Sequence, residues 1–156
     1  MHETHKLSSH SNCFACGECN SGGLGLNFVR REDGIVSAEY VVGGCYQGYP
    51  GIAQGGIVAT LLDSAMTNCL FSEGIEAMTA QLSVRYREPV KVGVPLTIEA
   101  VLRNKHGRLY ELSASIKQEE SVRATATAKF ILTIQQADKS YMSGKKDLSA
   151  ENAESR

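Results

Sequence analysis

The chain has no tryptophan, only three prolines and no surplus of either charge. Sixteen Lys and Arg stand against seventeen Asp and Glu, a formal net charge of −1, so no polyelectrolyte attraction draws it to nucleic acid or an anionic membrane. Cysteine is scarce and odd in number: five in 156 residues do not make the disulfide framework of a secreted domain. The N-terminus, Met1-His2-Glu3-Thr4-His5-Lys6, lacks the apolar centre of a signal peptide. The longest apolar stretch, Ile57 to Phe71, is interrupted by Thr60, Asp63, Ser64, Thr67 and Asn68. It also falls short of the ~20 residues a membrane-spanning helix needs. No repeat of solenoid length is visible. These absences predict a soluble, cytoplasmic protein without nucleic-acid or membrane partners, and at roughly 100–200 residues per domain its length allows one domain.

What is there suffices for a packed core: 42% of residues are apolar and 21% charged, which excludes global disorder. Leu24, Leu26 and Phe28 alternate with small or polar residues, and Ile35 to Val42 follows an Asp33-Gly34 turn, a pattern that predicts a β-hairpin. Stronger alternation starts further on. Met78, Ala80, Leu82, Val84 and Tyr86 fall on one face, with Thr79, Gln81, Ser83, Arg85 and Arg87 on the other. Leu96 to Leu102, Tyr110 to Ile116 and Val122 to Leu132 repeat the pattern between short turns. Period 2 with one apolar face means antiparallel strands covered from one side. The cover is Gly56 to Phe71, apolar round most of a helix circumference apart from a stripe of Thr60, Asp63, Ser64 and Thr67. Such a helix is buried at the centre. The alanine-rich face of the last strand lets its backbone approach closely. The expected fold is α+β, an antiparallel sheet of about six strands wrapped around one long helix. It occupies residues 24–134, between a cysteine-containing segment (1–23) and a flexible polar tail (135–156).

Before the helix lies Gln47-Gly48-Tyr49-Pro50-Gly51-Ile52-Ala53-Gln54-Gly55-Gly56. Glycines permit positive φ and close approach of backbone to a ligand. The unpaired N–H groups of the first helical turn carry the positive end of the dipole and can hold a carbonyl oxygen that becomes an oxyanion. A glycine-rich turn that merely starts a helix has the same appearance. Asp63 is costly in so apolar a helix unless it is paired, hydrated or set in a cleft, or unless its stripe faces solvent. Seven residues at ~1.5 Å each separate Gly56 from Asp63 by roughly 10 Å, too far for both to act on one carbonyl within one chain. If both are catalytic, a second subunit supplies its Asp63. That predicts a dimer, or a dimer of dimers, with composite sites.

Three segments in order carry a family resemblance. Gln54-Gly55-Gly56, then six residues, then Asp63 resembles the helix motif of hotdog-fold acyl-CoA thioesterases of the phenylacetate-pathway type, where the pattern is His-Gly-Gly, six residues, Asp. Thr79 to Pro89 resembles that family's next strand, which opens with Thr and ends in a Tyr-x-x-Pro-like segment. Cys13-Phe14-Ala15-Cys16-Gly17, then Gly23-Leu24-Gly25-Leu26, is similar to the N-terminal signature of one branch. The resemblance covers about residues 12–134 and implies a hotdog fold that hydrolyses an acyl-CoA thioester to free acid and CoA. Coenzyme A is then part of the substrate, with no bound cofactor and no metal. It implies that the Gly56 N–H polarises the carbonyl while Gly55 lets the turn close. Asp63 of the partner subunit is then general base or nucleophile, and Thr79 bonds the water or Asp63. Gln54 departs from the family's His: it can donate to an acyl carbonyl but does not titrate near neutral pH. The alternative is a non-catalytic acyl-CoA-binding protein. A dehydratase on this fold pairs a His with a carboxylate, and the histidines at 2, 5, 10 and 106 lie away from the helix.

Cys13-x2-Cys16-x2-Cys19 invites a zinc reading. Structural zinc wants four ligands, usually two separated pairs. The fourth has to be His10, Cys45 or another distant group, so a cysteine-containing turn packed under the sheet is expected. Cys45 and Cys69 are expected to be small core fillers. Arg85, Arg87, Lys105, His106 and Arg108 are candidates for the phosphates of coenzyme A, and equally ordinary strand-face and turn charges.

Overall fold

In the computed structural model, which describes residues 2, 3 and 10–133, Gly55–Phe71 is one α-helix of 17 residues (α1). The tail expected over 135–156 lies outside the described residues. Val58, Leu61, Leu62, Ala65, Met66 and Leu70 are almost wholly buried, as their spread round the helix requires. Burying each large side chain of this kind contributes about 1.5–3 kcal/mol, and α1 has to be enclosed to collect it.

The enclosure is a sheet of seven strands among the described residues: β1 (His2–Glu3), β2 (Val29–Arg30), β3 (Val36–Val41), β4 (Ala77–Tyr86), β5 (Pro95–His106), β6 (Leu109–Gln118) and β7 (Ser121–Leu132). Every pairing is antiparallel, in the order β1-β2-β3-β5-β6-β7-β4. The inward residues are those the alternation selects: Leu96, Ile98 and Ala100, then Tyr110, Leu112, Ala114 and Ile116, then Ala124, Ala126, Ala128 and Phe130. The α+β architecture predicted from periodicity is the one observed.

Two local departures have physical causes. Residues 24–28 are not a strand, although Leu24, Leu26 and Phe28 are buried as alternation implies. Gly25 takes a φ of 66°, and the N–H groups of Leu24 and Leu26 donate to the carbonyls of Phe14 and Ala15 at 2.7 and 2.9 Å. The backbone there is tied to the cysteine turn rather than to β3, and Ala15 and Cys16 join the core. The hairpin is therefore only β2–β3, closed around Gly34 with a φ of 83°.

The second departure is a bulge. The β4–β7 register runs Thr79↔Phe130 and then Gln81↔Lys129, which leaves Ala80 unpaired. One extra residue exchanges the two faces of a strand. Thr79 therefore joins Leu82 on the helix side, whereas strict alternation puts it on the opposite face. A similar shift in the β6–β7 ladder leaves Arg123 unpaired and buried. Its guanidinium donates to Glu88 at 2.6 Å and to Glu119 at 2.9 Å, and its carbonyl accepts from the N–H groups of Arg87 and Glu88. The segment that follows β4 is fastened there.

The alanine column on β7 is buried in the core that α1 and the sheet share, so added bulk has nowhere to go. Ala126→Leu is expected to lower stability by about 1–3 kcal/mol through overpacking. In urea unfolding that appears as a lower midpoint at an unchanged slope.

Candidate functional site

The N-terminus of α1 is held by its own loop. Gln54 N–H donates to the Tyr46 carbonyl and Ala53 N–H to that of Val90, each at 2.9 Å, and Gly51 makes the turn with a φ of 76°. Positive φ is thus needed at Gly51 and not at Gly55 or Gly56, which are helical. Gly56 is exposed, and no acceptor lies opposite the Gly55 or Gly56 N–H among the described residues. Those two donors project from the positive end of the helix.

Gln54 is the N-cap. Its Oε1 accepts from Ile57 N–H at 3.1 Å and folds over Gly56, where a Cβ would stand 2.8 Å from that oxygen. The carboxamide oxygen is therefore engaged with the helix itself. On the other side the Tyr86 hydroxyl donates to the Gly55 carbonyl at 2.8 Å. Sequence reasoning passed over Tyr86 as a site residue, and its signal was the Tyr-x-x-Pro segment. Tyr49, Ile52, Gly55, Tyr86, Arg87 and Pro89 line a cavity of about 340 Å³ at this helix end.

Two turns along, Asp63 is half-buried and its Oδ1 accepts from the Thr79 hydroxyl at 2.8 Å. Burial pushes its carboxyl above the ordinary aspartate range, opposed by the Thr79 hydrogen bond. The bulge at Ala80 makes this pair possible, since it turns Thr79 toward α1. Thr60 and Thr67 share the less buried stripe, and their hydroxyls donate back to the carbonyls of Gly56 and Asp63. Ser64 leaves the stripe and is buried.

The predicted residues thus form two groups on α1: Gln54, Gly55 and Gly56 at its start, Asp63 with Thr79 further on. The basic candidates divide as well. Arg87 lines both the cavity beside Gly55 and, with Arg85 and Arg103, a groove of about 530 Å³ over the sheet, whereas Arg85 lines only the groove. Lys105 and Arg108 sit at the β5–β6 turn, roughly 30 Å from the helix start by the length of β4. The Lys105 ammonium covers the Tyr110 ring and Arg108 donates to the Leu132 carbonyl. His106 pairs with Leu109 in the same turn. Cys69 is buried as expected, Cys45 is exposed, and burial pushes the Cys16 and Cys69 thiols up.

A curved antiparallel sheet around one helix, with a glycine pair at the helix start and a carboxylate within it, defines a class. Residues 50–125 match the family described as the thioesterase superfamily. Over 114 residues the chain is 37% identical to the acyl-coenzyme A thioesterase THEM4 of Rattus norvegicus, an overlap of 70% of this chain and 49% of that protein. The chain spans about half the length of the curated relatives it matches. Its fold superposes on the thioesterase superfamily protein RHA08564 with a TM-score of 0.70 and 30% identity, over 74% of this chain and 60% of that one. A hypothetical thioesterase from Streptococcus pneumoniae, solved with coenzyme A, superposes with a TM-score of 0.65 and 25% identity, over 69% of this chain and 88% of that one. The hotdog architecture implied by the motifs is thereby established. No helix among the described residues is long and apolar enough to cross a membrane.

The Asp63 carboxyl gives a direct readout of its surroundings. A pKa raised by folding costs stability, a cost absent below the ordinary aspartate range and developed as pH climbs through the raised folded value. Asp63→Asn removes the charge and keeps an acceptor for Thr79. Its melting temperature is expected to exceed that of the parent by a few degrees at pH 7, the gain shrinking as the solution is acidified. Thermal melts at pH 7 and pH 4 check this, and a lower melting temperature at pH 7 contradicts it.

Proposed function

We propose that the protein hydrolyses an acyl-CoA thioester to a free carboxylic acid and CoA at a site shared between two copies of the chain. The observation that carries this reading is the separation of its two chemical groups along α1: donors without acceptors at Gly55 and Gly56, and a carboxylate with a raised pKa at Asp63. The outer edge of β4 has no partner strand among the described residues, and the strand is ten residues long, a ready template for pairing. If two copies pair antiparallel about the Leu82–Ser83 midpoint, Thr79 of one lies opposite Tyr86 of the other. The partner's Asp63 then comes to the Gly55 end of α1, and the roughly 10 Å gap is bridged between chains. Such pairing gives a homodimer, on which a dimer of dimers can be built.

In this mechanism the thioester carbonyl sits against the Gly56 N–H, with Gln54 and Tyr86 flanking it. Asp63 takes a proton from water as the water oxygen adds to the carbonyl carbon, and the oxyanion develops at the helix start. Collapse breaks the C–S bond, and the departing CoA thiolate recovers the proton. Acting instead as nucleophile, Asp63 would form an anhydride that water then cleaves. A raised pKa favours the base, because a carboxylate nearer neutrality is a better proton acceptor in the transition state. Thr79 holds the carboxylate toward its target. Arg87 is placed for a CoA phosphate, and the reaction needs no bound cofactor. THEM4 proteins are acyl-coenzyme A thioesterases by name, and the Streptococcus pneumoniae neighbour carries coenzyme A, which supports the substrate class. A cytoplasmic setting is the one in which acyl-CoA would be met.

The engagement of Gln54 with Ile57 N–H favours one rival reading, a non-catalytic acyl-CoA-binding protein. A panel of aryl- and aliphatic-CoAs, with released thiol followed, separates the two. Hydrolysis predicts turnover on at least one member and a loss of about 10²–10⁴-fold in kcat for Asp63→Ala. Binding predicts tight complexes without turnover on any member, unrestored by Gln54→His.

A further inference from the structure

The hydrolysis makes no use of a cluster beside the C-terminal part of α1. One ligand atom each from His10, Cys13 and Cys16 lies within 4.8 Å of the others, and His10 Nδ1 stands 3.7 Å from Cys16 Sγ. Two ligands on one tetrahedral zinc, at ~2.0–2.3 Å from the metal, are roughly 3.5–3.8 Å apart. The His10–Cys16 pair already has that spacing, and Cys13 needs to move in by at most about 1 Å to reach it. We propose that His10, Cys13 and Cys16 bind one zinc ion, with water in the fourth position, and that the ion fixes the turn of the N-terminal segment that packs on α1.

The surroundings are constructed in the way such a site requires. Cys13 N–H donates to the His10 carbonyl at 3.0 Å and Gly17 N–H to that of Cys13 at 2.9 Å, which fixes a tight turn across all three ligands. Only glycine fits at 17, since a Cβ there would lie 2.4 Å from Cys13 N and 2.5 Å from the Ser11 oxygen. The His10 ring packs edge-on against Phe71, with centroids 4.8 Å apart, so its nitrogens are not free to swing. Cys13 and Cys16 are both free thiols.

A second observation concerns the Cys16 sulphur, which is buried with polar groups turned toward it. The wholly buried Asn68 donates its Nδ2 to that sulphur at 3.5 Å, while also bonding the Ser64 carbonyl. The Ser64 hydroxyl, one helical turn before Asn68 in a residue only 6% exposed, has no hydrogen-bond partner among the described residues. A neutral thiol in an apolar niche has no need of such donors. A metal-bound thiolate does, and hydrogen bonds of this kind orient ligands and stabilise their charge. Cys19 lies outside the cluster with its side chain exposed, so the ligand set pairs the two buried-side cysteines with the histidine and not with the third cysteine.

The test uses the full chain, expressed without a histidine tag in zinc-supplemented medium and purified without chelator. Elemental analysis is expected to give one zinc per chain, and cobalt exchange a thiolate-to-cobalt charge-transfer band in the near ultraviolet. His10→Ala and Cys13→Ser are each expected to weaken zinc at least about 10-fold against a chromophoric chelator. Cys19→Ser should match the parent. If wild-type protein, folded by circular dichroism, holds well under one zinc and shows no cobalt charge-transfer band, the proposal is overturned. It is equally overturned by a Cys13–Cys16 disulfide in protein freshly isolated from the cytosol, or by a Cys19→Ser loss as large as that of Cys13→Ser.

Discussion

A helix that is apolar on nearly every side can exist in water only if something closes round it, and α1 imposes that condition on the rest of the chain. Leu61, Leu62, Ala65 and Met66 are inaccessible to solvent, and no single flat layer could cover them all. The sheet therefore curves. Its inward positions on β7 shrink to Ala124, Ala126 and Ala128, and the N-terminal segment contributes Ala15 and Cys16 to the far side. The polar content of the helix is confined to a few positions, and two of its side chains have specific partners: Thr79 for Asp63, the Ser64 carbonyl and the Cys16 sulphur for Asn68.

That same constraint bears on the proposed chemistry. A carboxylate set in such a helix is partly desolvated without further arrangement, which raises its pKa in the direction a general base needs. The helix start, in contrast, must emerge from the sheet to present free N–H groups, and it does so beside Tyr86 at the end of β4. One helix thus offers an oxyanion site and a base at positions too far apart to cooperate. The unpaired β4 edge, running alongside both, offers a way for a second copy to bring them together. On this reading the dimer is a requirement of the geometry of α1 as well as a means of covering apolar surface such as Met78, which is 70% exposed in the single chain.

The architecture was legible because period 2 is strict where strands are covered from one side, as in Leu96 to Ala100 and Tyr110 to Ile116. The reading failed where one residue broke the period. Leu24, Leu26 and Phe28 alternate like a strand, but Gly25 and two hydrogen bonds to the cysteine turn hold that segment off the sheet. Thr79 stood on the wrong face until the bulge at Ala80 turned it round, and a bulge leaves no mark in a pattern of apolar and polar residues. The placing of Gly55, Gly56 and Asp63 on one helix was visible in their spacing. The capping of that helix by Gln54 and the Tyr86 hydrogen bond were not, because each depends on contacts set by the folded chain, and His10 was visible only as one of several candidate partners for the cysteines.

The central claim is that the glycine donors and the carboxylate of a working site come from different chains, and mixing two inactive variants tests it. Gly56→Pro removes the N–H within the first turn of the helix, where proline leaves the helix intact while its added bulk displaces the Gln54 carboxamide, and Asp63→Ala removes the carboxylate. After the two proteins are unfolded together and refolded, half the dimers are mixed, and one of their two sites has both groups intact. The account predicts recovery of roughly a quarter of the parent turnover from two parents that have almost none. Folded, dimeric mixtures that stay as inactive as their parents would place both groups in one chain and contradict it.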